Sequence, residues 1–145
     1  MKILIPILLL SSNLYSQDIY TVTAYSHGCA MLNGTKPDRV HKPASNGEWP
    51  VYNMTAAADW KVLPEGTEVI IEGIGMWKIT DRSGSIKKGK YVNNGRIKGK
   101  RIDIFVGSER KSVAMNCKFA KDWGKKKLKV WKVPKHSTQW STYNK

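Results

Sequence analysis

The sequence predicts a small, mainly β domain that closes or half-closes into a barrel, with one short helix near its C-terminal end. Three observations predict it. Several short runs alternate apolar and polar residues at the period of a strand. Long stretches rich in Gly, Pro, Asn and Ser separate them, as functional loops do on compact β architectures. One stretch alone offers a good helix, with apolar residues at helical spacing. The chain has 145 residues, which favours one domain with a core of useful size.

Asp18–Tyr25 is rich in β-branched and aromatic residues and reads as the first strand. Ser26–Pro50 reads as a long surface loop. Val51–Ala58 is strand-like or irregular and leads into Asp59. Leu63-Pro64-Glu65-Gly66 is a turn signal. Glu68–Glu72 and Met76–Thr80 are strands joined by Gly73-Ile74-Gly75. Asp81 opens a second long loop. Arg101–Val106 is a strand that sets Arg101, Asp103 and Phe105 on one face and Ile102, Ile104 and Val106 on the other. Ser108–Trp123 is the helix, with Ser108 as its N-cap, Val113, Cys117 and Ala120 at helical spacing, and Gly124 as its stop. Lys127–Val133 alternates as a last strand, and residues 134–145 read as a polar tail.

Residues 1–16 have the form of a secretory signal: Lys2, an apolar run from Ile3 to Leu10, then small residues, with cleavage expected after Ser16. The run is too short to span a bilayer as a mature helix. No cysteine follows it closely, so no lipid anchor is expected. The domain proper is then 17–133, in a protein that is secreted or periplasmic and not stably inserted in a membrane. Outside the cytoplasm, Cys29 and Cys117 can form a disulfide; two separate buried thiols are the other reading. His27-Gly28-Cys29 has no second ligand pair at a metal-like spacing, so neither metal nor cofactor is expected. The formal net charge of +14 favours an anionic polymer as partner. For an exported chain that means envelope glycan before nucleic acid.

Three aspartates stand in β-prone or apolar settings, where a carboxylate is unusual unless it is paired, hydrogen-bonded or working. They are Asp59 after Thr55-Ala56-Ala57-Ala58, Asp81 before Arg82-Ser83-Gly84, and Asp103 within Arg101–Phe105. The plainer readings are a turn or cap residue for Asp59, a turn residue for Asp81, and a salt bridge to Arg101 or Arg82 for Asp103. Cleavage of sugar chains needs little more than well-placed carboxyl groups. Among six tryptophans, Trp49 in the Gly/Pro loop is the best sugar platform, while Trp77 and Trp131 on strands suit packing.

The order of these motifs resembles a known family. Lys42-Pro43-Ala44-Ser45-Asn46-Gly47 is similar to K-T-A-S-G. Thr55–Asp59 is similar to T-V-A-A-D, and Leu63–Val69 to L-P-L-G-T-x-V. Gly73-Ile74-Gly75 is similar to G-Y-G, Asp81–Lys87 to D-T-G-G-A-I-K, and Arg101–Phe105 to R-I-D-I-Y/F. Together they resemble the three-aspartate (3D) domain family, related to membrane-bound lytic transglycosylase A and to small secreted stationary-phase muralytic proteins. The resemblance covers roughly residues 20–133. Arg82 and Ser83 depart from it, as does the long basic stretch Lys88–Lys100.

The resemblance implies a six-stranded double-psi β-barrel with a groove across its face. It implies a secreted peptidoglycan lytic transglycosylase, a carbon–oxygen lyase that cleaves the N-acetylmuramyl–N-acetylglucosamine bond and leaves an anhydromuramyl end. Asp103 would be the acid/base, with Asp81 and Asp59 holding or tuning it. Lys42, Thr55, Ser83, Gly84 and Trp49 would meet the glycan, and Tyr25 would stack on a sugar or pack below the aspartates. The partner is the peptidoglycan strand, and a monomer is expected. An expansin-like wall-binding module without catalysis, a hydrolase using two carboxylates, and an exported polyanion binder are the competing readings.

Overall fold

The computed structural model describes residues 16–29, 44–83, 85–93 and 95–135. Eight strands and one helix make up the described chain. They are β1 (Gln17–Tyr25), β2 (Thr55–Ala58), β3 (Glu68–Ile71), β4 (Gly75–Arg82), β5 (Ser85–Lys87), β6 (Lys90–Val92), β7 (Arg101–Phe105), α1 (Val113–Trp123) and β8 (Lys126–Lys132). Six strands close a barrel in the order β1-β7-β2-β4-β3-β8, and β5 and β6 form a separate hairpin. The pairs β1–β7 and β2–β4 are parallel; the others in the barrel are antiparallel. The fold is therefore the mainly β, six-stranded closed barrel with one helix near the C-terminal end that was expected.

Strand parity builds the interior. Tyr20 and Val22 of β1, Ala56 and Ala58 of β2, Val69 and Ile71 of β3, Trp77 and Ile79 of β4, Ile102 and Ile104 of β7, and Val130 of β8 form one buried cluster. Each large aliphatic chain in it contributes about 1.5–3 kcal/mol through loss of water contact. Trp77 satisfies its one polar atom by donating from Nε1 to the carbonyl of Ile74 at 3.2 Å. Gly73 holds the β3–β4 turn at φ 78°, a left-handed conformation that side chains disfavour.

Three local expectations need correction: the start of the helix, its N-cap and the loop at Asp81. The helix begins at Val113, not Ser108, and its N-cap is Ser112, whose hydroxyl accepts from the N–H of Met115. Ser108 is instead clasped by the Asn116 side chain, which accepts from its N–H at 3.2 Å and donates to its carbonyl at 2.9 Å. A cap must lie one turn before the groups it satisfies, and the Ser108 hydroxyl accepts from the N–H of Arg110 at 3.3 Å, ahead of the helix. β2 is confined to Thr55–Ala58, because Val51–Met54 folds into a turn. There the N–H of Met54 bonds the carbonyl of Val51, and the Val51 N–H donates to Thr55 Oγ1 at 2.8 Å. Asp81 and Arg82 do not open a loop; they complete β4. The loop beyond them contains the β5–β6 hairpin.

Cys29 and Cys117 are bonded, with Cα atoms 5.5 Å apart. The bond fastens α1 beside the end of β1, where Ala120 and Trp123 pack on the core cluster. Gly124 ends the helix at φ 69°. Among the described residues no helix is long and apolar enough to cross a membrane. Most of the signal-like segment and of the polar tail lies outside the described residues, as do Lys42, Gly84 and Trp140.

Candidate active site

The outer face of the barrel carries one row of side chains across four strands. Thr23 of β1 is the register partner of Asp103 on β7. Asp103 is the partner of Ala57 on β2. Ala57 is in turn the partner of Asp81 on β4. The row Thr23–Asp103–Ala57–Asp81 thus sets two carboxylates on either side of a residue that contributes only a methyl group.

Asp81 reaches this row through a bulge. Ala56 pairs with Ile79, but the next residue, Ala57, pairs with Asp81, so Thr80 is the extra residue on β4. Ile79 lies in the core. In an unbroken strand Asp81 would share its face, because side chains two apart point the same way. The bulge re-aims Asp81 outward, and Thr80 is 2% exposed.

Asp81 is held by four donors. Tyr25 Oη donates to Oδ2 at 3.0 Å. The N–H of Ser45 at 3.0 Å, the hydroxyl of Ser45 at 2.6 Å and the N–H of Arg82 at 2.9 Å all donate to Oδ1. These bonds also dock the segment after residue 43 onto the barrel, helped by the N–H of Asn46 on the carbonyl of Thr80 at 3.1 Å. Burial and then the Asp81 charge push the Tyr25 phenol well above its ordinary range, so it remains a donor at any working pH.

Asp103 has a different environment. It is half-buried and accepts from the Thr23 hydroxyl at 2.9 Å. Burial raises its pKa, and the Asp81 charge adds to that. The Thr23 hydrogen bond and the charges of Arg101 and Arg96 pull the other way without cancelling the rise. Arg101 meets the row indirectly, with one guanidinium nitrogen 3.4 Å from Thr23 Oγ1. The ion pairs among the described residues do not include Asp103. A half-buried carboxyl with a raised pKa beside a held carboxylate is the pattern from which a general acid is made.

Asp59 is not in the row. It is 4% exposed, and its oxygens accept from the N–H of Lys61 at 3.1 Å and the N–H of Gly99 at 3.1 Å. Burial alone would raise its pKa, but these bonds, the Asn93 side chain and the Lys61 charge leave it lowered. It ties the end of β2 to the segment that leads into β7. Its geometry is that of a loop anchor, two residues beyond the Ala57 that pairs with Asp103.

The other expected site residues divide. Tyr25 lies below the aspartates, with its ring edge-on to Phe105 at 5.4 Å. Trp49 is 64% exposed and walls a cleft of about 600 Å³ with His27, Phe105, Ser112 and Asn116. Thr55 is buried, with its hydroxyl accepting from Val51, and Ser83 is buried. Neither presents an open surface to a glycan. Thr23 and Ser45 are the residues that sequence reasoning passed over, and Arg101 was named only as an ion-pair partner for Asp103. Thr23 was within reach, since it shares the outward parity of Tyr25; its pairing with Asp103 was not. Among the described residues no group of three or more His, Cys, Asp or Glu could hold a metal ion.

No protein-family model and no curated protein matches the chain, so the resemblance to the three-aspartate family rests on the motifs. Among solved structures, the fold is similar to MltA from E. coli at 17% identity and a TM-score of 0.45, over 68% of this chain and 29% of that one. A second structure, described as MltA from Escherichia coli with a unique lytic transglycosylase fold, matches at 18% identity and a TM-score of 0.44, over 68% and 29%. A variant of the E. coli lytic transglycosylase MltA in an apo form matches at 17% identity and a TM-score of 0.44, over 68% and 29%. The chain thus spans less than a third of the length of each of these proteins.

Proposed function

We propose that this chain is an exported peptidoglycan lytic transglycosylase, with Asp103 as its single acid/base. The observation that carries the reading is the row Asp103–Ala57–Asp81, in which one carboxyl has a raised pKa and the other is held by four donors. Protonated Asp103 gives its proton to the glycosidic oxygen as that oxygen leaves the muramyl anomeric carbon. The anomeric carbon becomes oxocarbenium-like. The carboxylate left on Asp103 then takes the proton of the muramyl hydroxymethyl group. That oxygen bonds the anomeric carbon and closes the anhydro ring. One bond breaks and one forms, the proton is returned to Asp103, and no water is consumed.

Asp81, its oxygens held by four donors, takes no part in the proton transfer. Its charge keeps the Asp103 proton in place before the reaction and steadies the cationic sugar during it. A hydrolase would ask Asp81 to activate water or attack carbon. The four donors on its oxygens favour the single-acid reading over that one. Asp59 acts at a distance by fixing the segment before β7, and is a positioning residue. Trp49 and the cleft beside it supply a wall on which a sugar can lie. The positive net charge draws the chain to an anionic wall polymer. The signal-like start of the chain supports export.

The test is mass spectrometry of the products from purified peptidoglycan, comparing the mature protein with Asp103→Asn. Anhydromuramyl products, lighter by one water than reducing-end products, are expected from the wild type and absent with the variant. Reducing ends would mean hydrolysis. Wall binding by both proteins without release would mean a binding module.

A further inference from the structure

We propose that Arg101, Lys127 and Lys129 form a subsite for the carboxylates of the peptide stem on the muramyl residue, and that this chain therefore prefers peptide-bearing glycan. The proposal rests on the peptidoglycan reading above and adds to it which part of the substrate is recognised.

The register carries the argument. Thr21 of β1 is the partner of Arg101 on β7 and of Lys127 on β8. Ile19, two residues back on the same face, is the partner of Lys129. The core positions of these strands are Tyr20, Val22, Ile102, Ile104 and Val130, so Arg101, Thr21, Lys127, Ile19 and Lys129 all face outward. A basic strip therefore adjoins the Asp103–Thr23 end of the catalytic row. The opposite end of that row is Asp81, an acidic flank.

Charge gives the direction. The muramyl ring must sit at Asp103, and its lactyl group carries the stem. A stem lying toward β2 and β4 would bring carboxylates to Asp81. A stem lying toward β1 and β8 brings them to Arg101, Lys127 and Lys129. Reach agrees with this. Two strand spacings across and two residues along put Lys127 roughly 12 Å from Asp103 at the backbone. A stem of four residues, fully extended, spans about 13 Å.

The lysines are available. Both are exposed, and the ion pairs among the described residues are Lys78–Glu48, Lys100–Asp18 and Lys118–Asp122. Of the two nearest acids on this side, one is engaged elsewhere and the other lies against the backbone of Lys129 itself. Asp18 pairs with Lys100, and Glu72 accepts from the backbone N–H of Lys129 at 3.1 Å.

The test compares turnover of peptide-bearing glycan strands with strands stripped by an amidase, alongside binding of a soluble disaccharide-tetrapeptide and of the bare disaccharide. The wild type should cleave peptide-bearing strands roughly 5–10-fold faster, as two or three exposed ion pairs would give, with a preference that fades at high salt. In Lys127→Gln/Lys129→Gln that ratio should fall toward one, and Lys127→Arg/Lys129→Arg should restore it. Cleavage with no stem preference in the wild type, or a preference that the Gln variant keeps, overturns the subsite and leaves the enzymatic reading standing. Stem-dependent binding that the Gln variant loses, with no cleavage by the wild type, supports the subsite and overturns the enzymatic reading.

Discussion

Asp81 and Asp103 are joined through one residue: Ala57 is the register partner of both, on opposite edges of β2. The two carboxylates sense each other across a methyl group. Their environments then diverge, because Asp81 collects four hydrogen bonds while Asp103 is half-buried with the Thr23 hydroxyl upon it. Two like groups with different surroundings are how a protein assigns one to proton transfer and the other to charge stabilisation.

Asp103→Asn should lower turnover by about 10²–10⁴-fold, the range for loss of a general acid. The same change should raise thermal stability at neutral pH. The folded pKa of Asp103 lies above its unfolded value, so folding an ionised Asp103 is unfavourable. That cost is absent below the unfolded pKa and grows as pH rises through the folded one. Melting curves should show the Asn variant ahead at neutral pH and level with the wild type in acid. A variant less stable at every pH would contradict the raised pKa.

Two substitutions should move the pH–rate profile in opposite directions. Asp81→Asn removes a charge that raises the Asp103 pKa, so activity should fail at lower pH on the basic limb. Thr23→Val removes a hydrogen bond that favours the charged form, so its basic limb should shift upward. Shifts of the same sign in both variants would be inconsistent with the row.

Asp59→Ala should destabilise the fold by about 1–3 kcal/mol, because the N–H groups of Lys61 and Gly99 lose a buried acceptor. The Asp59 pKa is lowered in the fold, so its contribution is present above the unfolded pKa and lost as pH falls through the folded value. Denaturant curves should therefore separate the proteins at neutral pH and converge in acid. Turnover should fall while the pH–rate profile keeps its shape, as expected of a positioning residue. A shifted profile would mean that Asp59 acts on the proton itself.

Reduction of Cys29–Cys117 should lower stability by about 4 kcal/mol or less, the loop-closure effect of a bond spanning most of the domain. α1 depends on it most. Among its described residues only Asn116 is fully buried, and one face alone packs on the barrel. Hydrogen exchange after reduction should speed first in Val113–Trp123, and equal protection with and without the bond would count against this account.

The sequence by itself determined the barrel class, the alternating strands and the outward direction of Asp103. Each is a local property: two-residue parity in Arg101–Phe105 sends Asp103 away from Ile102 and Ile104 whatever those strands pair with. The glycine turn at Gly73 and the stop at Gly124 were legible for the same reason. Only the tertiary structure decided the arrangement of the candidate site. Asp81 shares the parity of Ile79, and nothing local announces that Thr80 will bulge and turn it outward. The bond between Cys29 and Cys117, the clasp of Asn116 on Ser108 and the anchoring of Asp59 to Gly99 join residues that only the closed barrel brings together. Strand register is set by how the whole barrel closes around its core, and it is register that puts Asp81, Ala57, Asp103 and Thr23 in one row.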